Sequence, residues 1–387
     1  MKKIKYLNGL RGVAAFEVVF HHFILAFYPA LFSGPGIPTH MAAGQEVAAS
    51  GSFLNLLWDG NFAVCIFFVL SGFVLSHKFF LQKEPEIITA SAVKRYFRLA
   101  LPVAFSVLFA YVLMKFSLFF NHPAGSVSGS GWLMGFWNFQ PNFFDSLRQA
   151  VVGTFFFSIF DYNAILWTIA CEFLGSFLVF GFLAIFGQAK KRFWAYAFLI
   201  VVFLQTYYLA FILGMLLSDV FAHRQMILRQ HDPKKIWRSL FLVLGLFLGS
   251  FPIGRDPSGT MYAFMNFSWL SSPATLYHIL GAFLLMVVLL DSRKMQKFFS
   301  YKYFLFLGEV SFAMYLLHFI ILGSFSSFIF LKLEPIMAYP YAVAISFAAS
   351  LPIILLVSYL AYELVDKKAV NFSHFLYQKL FVHKKEG

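Results

Sequence analysis

The sequence predicts an all-α integral membrane protein: about ten transmembrane helices, both termini cytoplasmic, and short or broken helices around 193–221. Three observations carry this expectation. Of the 387 residues, 60% are hydrophobic, 12% are charged and 55 are Phe, whereas a soluble domain carries a charged fraction of about 25%. The apolar residues are spread along the whole chain, and one water-soluble core cannot hide them. The bases sit in short clusters between apolar runs, the pattern of charged loops between spans. Soluble, disordered and fibrous classes are thereby excluded. The formal charge of +13 belongs to those loops and not to a nucleic-acid surface.

A span needs about 20 mostly apolar residues. In chain order the candidates are 9–31, 60–81, 99–120, 164–187, 239–253, 274–291, 303–325 and 340–362. They are apolar on all sides and lack the alternation of barrel strands, so helices are the expected form. Asn8-Gly9 and the Gly/Pro-rich external segments read as turns. No internal repeat or soluble domain stands out. Residues 1–387 are therefore expected to form one membrane domain, with a short cytoplasmic tail at about 363–387.

The bases set the expected topology. Clusters occur at Lys2, Lys3, Lys5 and Arg11; at Lys78, Lys83, Lys94, Arg95 and Arg98; and at Lys190, Lys191 and Arg192. Further clusters are Arg224, Arg229, Lys234, Lys235 and Arg238; Arg293, Lys294, Lys297 and Lys302; and the tail lysines 367, 368, 379, 384 and 385. The intervening segments hold only Arg148, Arg255 and Lys332, with Lys115 inside a span. The clustered loops are thus expected in the cytoplasm. Bases flank 193–221 on both sides, so the chain should leave and return within it. As one helix these residues reach only about 43 Å, too little for two full spans and a turn. Two short or broken helices, or a re-entrant hairpin, are expected near Gln205 and Thr206, bringing the total to about ten; one long tilted helix is the alternative and would break the charge rule once. Irregular backbone at membrane depth is tolerated where it lines a cavity.

Lys2 to Lys5 imitate the basic region of a signal peptide. Arg11, Glu17, His21 and His22 interrupt the apolar core, and no small-x-small site follows, which argues against cleavage. Cys65 and Cys171 both lie in apolar segments and imply packing residues, not a disulfide framework.

Ionisable side chains inside the membrane cost a few kcal/mol each and are functional candidates. The first span carries Glu17, His21 and His22. Arg11, Val18 and His22 share one helical face, with Arg11 about 16 Å below His22. Such a stripe suits a long anionic ligand at one end and proton chemistry at the other. Glu17 and His21, one turn apart, are placed to pair. Ser71-Gly72 forms a notch that admits a helix or a ligand. The loop Lys94-Arg95-Tyr96-Phe97-Arg98 puts guanidinium groups at the mouth of the third span, where they suit phosphates or anchor the span. Glu172 lies within the apolar layer, free to exchange protons or pair with a His. His318 sits deep in a later span with Glu309 near its start, and His278 reads as a structural hydrogen-bonder. No metal-ligand spacing, phosphate loop or nucleophile elbow occurs.

Taken together these residues resemble the acyltransferase-3 family of integral membrane acyltransferases. The resemblance runs through Asn8-Gly9-Leu10-Arg11-Gly12 and His22, an Arg-x10-His pattern, then Phe67-Phe68-Val69-Leu70-Ser71-Gly72-Phe73. It continues in Arg95, Arg98-Leu99 and Pro102, in Leu166-Trp167-Thr168 with Glu172, and in Gly308, Ser311 and Tyr315-Leu316-Leu317-His318. The ordered set spans the chain from the first span to the ninth. Two departures stand out. Cys65-Ile66 replaces an acidic residue before Phe67, and Asp366-Lys367-Lys368 replaces a Glu-(Lys/Arg)-Pro motif, which weakens any role for the tail.

The resemblance implies transfer of an acyl group from cytoplasmic acyl-CoA, acetyl-CoA first, to a hydroxyl of a sugar, glycolipid or lipid-linked glycan, in the bacterial inner membrane. It implies His22 as catalytic base, supported by Glu172. Arg11, Ser71, Arg95 and Arg98 would bind the donor, and Glu17, His21, Glu309 and His318 would support the site. No metal is expected. The picture requires a hydrophilic passage joining His22 to Arg95 and Arg98. It also implies a stand-alone version of a family whose members often append an extracytoplasmic domain. Trp58, Trp132 and Trp137 are candidates to stack on sugars or to sit in an interfacial belt. The competing reading is a proton-coupled transporter of a small polar solute, with the membrane Glu and His residues as its relay.

Overall fold

The computed structural model describes residues 4–227 and 235–381, and every regular element among them is helical. Eleven helices form its framework: α1 (Lys5–Phe27), α2 (Gly60–Gln82), α3 (Glu86–Lys115), α4 (Trp167–Phe186), α5 (Arg192–Val202), α6 (Tyr208–Ile227), α7 (Lys235–Gly249), α8 (Pro273–Asp291), α9 (Lys302–Ile321), α10 (Tyr339–Ala361) and α11 (Lys367–Phe381). Seven helical segments are long and apolar enough to cross a membrane, and three shorter apolar helices lie at 192–202, 208–223 and 236–249. Of the basic clusters, Lys2, Lys3, Arg229, Lys234, Lys384 and Lys385 lie outside the described residues.

The segment 193–221 is broken as its length demands. Helix α5 stops at Val202, residues 203–207 turn, and α6 begins at Tyr208. Gln205 ties this turn down by accepting from the backbone amides of Ser271 and Ser272 at 2.7 and 3.0 Å.

Three other expectations change. The third helix begins at Glu86, so Lys94, Arg95 and Arg98 lie on a helix and not in a loop. Helix α11 packs against α3, with the Phe372 ring edge-on to Phe97. Lys115 is the last residue of α3 and not interior. Asn8 and Gly9 lie within α1. Gly9 is there for proximity: a Cβ would strike the carbonyl of Phe299.

Helix α2 is the hub, packed against α1, α4, α6 and α8. Its tightest crossing is with α6, where the backbones meet at glycines. A Cβ on Gly72 would strike the Phe211 carbonyl, and one on Gly214 would strike the Val69 carbonyl. Small residues allow this approach where helix association depends on close packing. Helix α9 lies between α1 and α10 and runs on through a π-helical turn, Leu322–Ser326. A second π-helical turn, Tyr362–Asp366, joins α10 to α11 and directs α11 back across α3.

Replacing Gly214 by Leu overpacks the α2–α6 crossing at a cost of about 1–3 kcal/mol. Gly181 on α4 has nothing within 4 Å of an added Cβ. Thermal melts in detergent are expected to show a clear loss of stability for Gly214→Leu and little change for Gly181→Leu. Equal melting of the two would contradict the crossing.

Candidate functional site

The α2–α4 and α3–α4 contacts place Ser71, Arg95 and Glu172 side by side. Glu172 Oε1 pairs with Arg95 Nη2 and also accepts from Ser71 Oγ at 2.8 Å. The two ionic side chains are only 8% and 17% exposed. The Nε of Arg95 is buried with no partner. Glu172 therefore pairs with a guanidinium and not with a histidine.

This pair forms part of the wall of a cavity of about 400 Å³. Arg11 and Glu309 enter it from α1 and α9, and Arg98 lies one turn after Arg95 on α3. Among the described residues Arg11 and Arg98 have no hydrogen bond or ion pair, and Arg98 is exposed to the cavity. Three guanidinium groups thus share one space with the carboxylates of Glu172, Glu309 and Asp366, and Glu172 pairs with one of them. Guanidinium forks suit a phosphate-bearing ligand. Tyr362, Asp366, Lys367, Val370 and Asn371 close the cavity from the last π-helical turn and α11. These residues were not anticipated. The departure from the Glu-(Lys/Arg)-Pro pattern argued against the tail, yet the tail supplies a wall. The alternation of apolar and polar residues in 367–381 is the signal that points to a docked helix.

The inner end of the cavity is closed by Thr168 and Tyr315. Thr168 Oγ1 donates to the Ile165 carbonyl at 2.9 Å, so the Tyr315 hydroxyl, 2.8 Å away, donates to it. The Tyr315 ring packs edge-on against His318, centroids 5.8 Å apart. Beyond this layer His318 Nε2 lies 2.9 Å from His22 Nδ1, and His318 Nδ1 lies 3.0 Å from the Met314 carbonyl. His22 is half-buried and stacks on Trp132, centroids 5.3 Å apart and planes 14° apart. The expected open passage from Arg95 and Arg98 to His22 is absent here: Tyr315 and His318 stand between them.

A carbonyl only accepts, so His318 Nδ1 carries a hydrogen. In the neutral ring its Nε2 then accepts from His22 Nδ1–H. The lone pair of His22 is left on Nε2, the form required of a general base.

His21 touches His22 edge-on, centroids 5.0 Å apart, whereas Glu17 is not in this group. His21 Nδ1 donates to the Trp58 carbonyl at 2.7 Å and does not pair with Glu17. Glu17 faces a different cavity. His278 is fully engaged, with Nε2 on the Phe251 carbonyl and Nδ1 on Asn61, both at 2.7 Å. Trp58 and Trp137 donate to the carbonyls of Leu31 and Tyr162. Cys65 and Cys171 are free thiols. Among the described residues no three His, Cys, Asp or Glu side chains cluster as metal ligands.

Removing Glu172 strands a buried guanidinium, which costs roughly 3–5 kcal/mol. Removing the Ser71 hydroxyl costs only about 0.5–1.5 kcal/mol. Thermal melts are expected to rank Glu172→Leu far below Ser71→Ala. The reverse order would refute the pairing.

Residues 4–362 match the family profile described as an acyltransferase domain. The chain is 26% identical over 430 residues to O-acetyltransferase PaAT-1 of Phomopsis amygdali, covering 97% of this chain and 84% of that protein. No solved structure matches. The chain is an integral membrane O-acyltransferase and belongs to the acyltransferase-3 family.

Proposed function

We propose that the protein moves an acetyl or related acyl group from cytoplasmic acyl-CoA to a hydroxyl of a carbohydrate or lipid-linked glycan. The observation that carries this reading is the pair of unpartnered guanidiniums, Arg11 and Arg98, in a cavity whose inner wall backs onto the His318–His22 dyad. The donor phosphates lie on Arg11 and Arg98. The thioester reaches inward along Ser71 and Phe67. In this reading both Tyr315, held by Thr168, and His318 must move aside for the thioester to reach His22.

His22 Nε2 removes the proton from the acceptor hydroxyl as its oxygen attacks the thioester carbon. The C–S bond breaks, and the CoA thiolate takes that proton from the imidazolium. His318 holds His22 in the required tautomer and acts as a positioning residue. Ser71 already donates to Glu172, which favours direct transfer over an acyl-Ser71 intermediate. Alignment of donor and acceptor in one site supplies much of the acceleration. Trp132, stacked on His22, offers a face on which an acceptor ring can lie.

Purified full-length protein, radiolabelled acetyl-CoA and a glycan extract provide the test. Label is expected to pass to the glycan. His22→Ala is expected to lose roughly 10²–10⁴-fold in kcat with its melt unchanged. His318→Leu is expected to lose kcat and to shift the pH–rate profile while KM for acetyl-CoA holds. Solute uptake into vesicles without CoA release would instead establish a transporter.

A further inference from the structure

A second cavity, of about 500 Å³, lies among α1, α7, α8 and the short helix Arg293–Phe299. Its wall on α1 is Leu10, Val13, Ala14 and Glu17, one stripe at i, i+3, i+4 and i+7. That stripe lies roughly a third of a turn from the one bearing Arg11 and His22. The cavity is therefore separate from the donor cavity, and no mechanistic step uses it.

Leu242, Leu246, Leu285 and Phe298 make the opposite wall apolar. Only two charged side chains border it. Lys294 is exposed and belongs to the short helix, which lies level with the start of α1 because Phe299 touches Gly9. Glu17 is eight residues past Gly9, about 12 Å further along. Its Oε1 is buried with no hydrogen-bond partner.

Dry apolar spaces of this kind take apolar ligands and not water, and within a bilayer the available hydrocarbon is a lipid chain. The charges order such a ligand. Arg293, Lys294 and Lys297 are all exposed, and among the described residues none has a hydrogen bond or ion pair. Basic pockets between membrane helices favour anionic headgroups, and the bases stand at one end of this cavity only. We infer that this cavity binds a glycerophospholipid of net negative charge. One acyl chain lies between α1, α7 and α8, and the phosphate rests on Lys294 with its two basic neighbours. This site stands whether or not the acyl-transfer mechanism is correct.

Native mass spectrometry of the full chain, with dioleoyl phosphatidylglycerol or dioleoyl phosphatidylcholine added, tests the inference. Wild type is expected to retain phosphatidylglycerol at least tenfold over phosphatidylcholine. The double variant Lys294→Gln, Lys297→Gln alters only exposed side chains and is expected to reduce that preference to near unity. Leu246→Trp, which fills the cavity, is expected to lose both lipids. Undiminished phosphatidylglycerol retention in the lysine variant overturns the inference, as does wild-type retention in a folded Leu246→Trp protein. If Leu246→Trp does not fold, the lysine variant decides.

Discussion

The Arg95–Glu172 ion pair is the interaction on which the donor cavity depends. It ties α3 to α4 inside the bundle, and through Ser71 it ties both to α2. Charges at this depth are tolerated only when paired or facing a hydrophilic space. One guanidinium is paired, and its neighbours Arg98 and Arg11 face the cavity. Without Glu172 the three cations would repel one another in a low-dielectric setting. With it, Arg95 is paired, and Arg11 and Arg98 share the cavity with the carboxylates of Glu309 and Asp366.

Helix α1 organises the remainder. Its Arg11–His22 stripe spans from the cavity to the dyad, and its adjoining stripe lines the apolar cavity. One helix thereby separates two cavities of different character. The layer of Thr168, Tyr315 and His318 divides the donor space from the base. In the proposed mechanism that layer keeps the thioester from the base until the acceptor is in place, which would limit hydrolysis of the donor.

The helical membrane architecture was legible because hydrophobicity at this density has one physical solution in lipid, a set of internally hydrogen-bonded helices. The break near Gln205 was legible from charge flanks and length alone. Arg11, Ser71, Arg95, Arg98, Glu172 and Glu309 do converge, which follows from collinear motifs rather than from any local rule. Partner choice was less visible. Glu17 and His21 are well spaced to pair, yet the Trp58 carbonyl takes His21, because backbone acceptors at broken helix ends are not apparent in sequence. The wall built by α11 was missed because a polar tail looks solvent-exposed until its apolar face has a partner. The start of α3 was misplaced because hydropathy reports the membrane boundary and not where a helix begins.

The central claim is that unpaired guanidiniums in this cavity hold the phosphates of an acyl-CoA. Equilibrium binding of CoA to the purified full-length protein measures it most directly, across a range of salt and with Arg98→Gln alongside. The account predicts saturable binding that weakens with salt and drops at least tenfold in Arg98→Gln. Unchanged affinity in a folded Arg98→Gln protein, or no binding of CoA to the wild type, would contradict it.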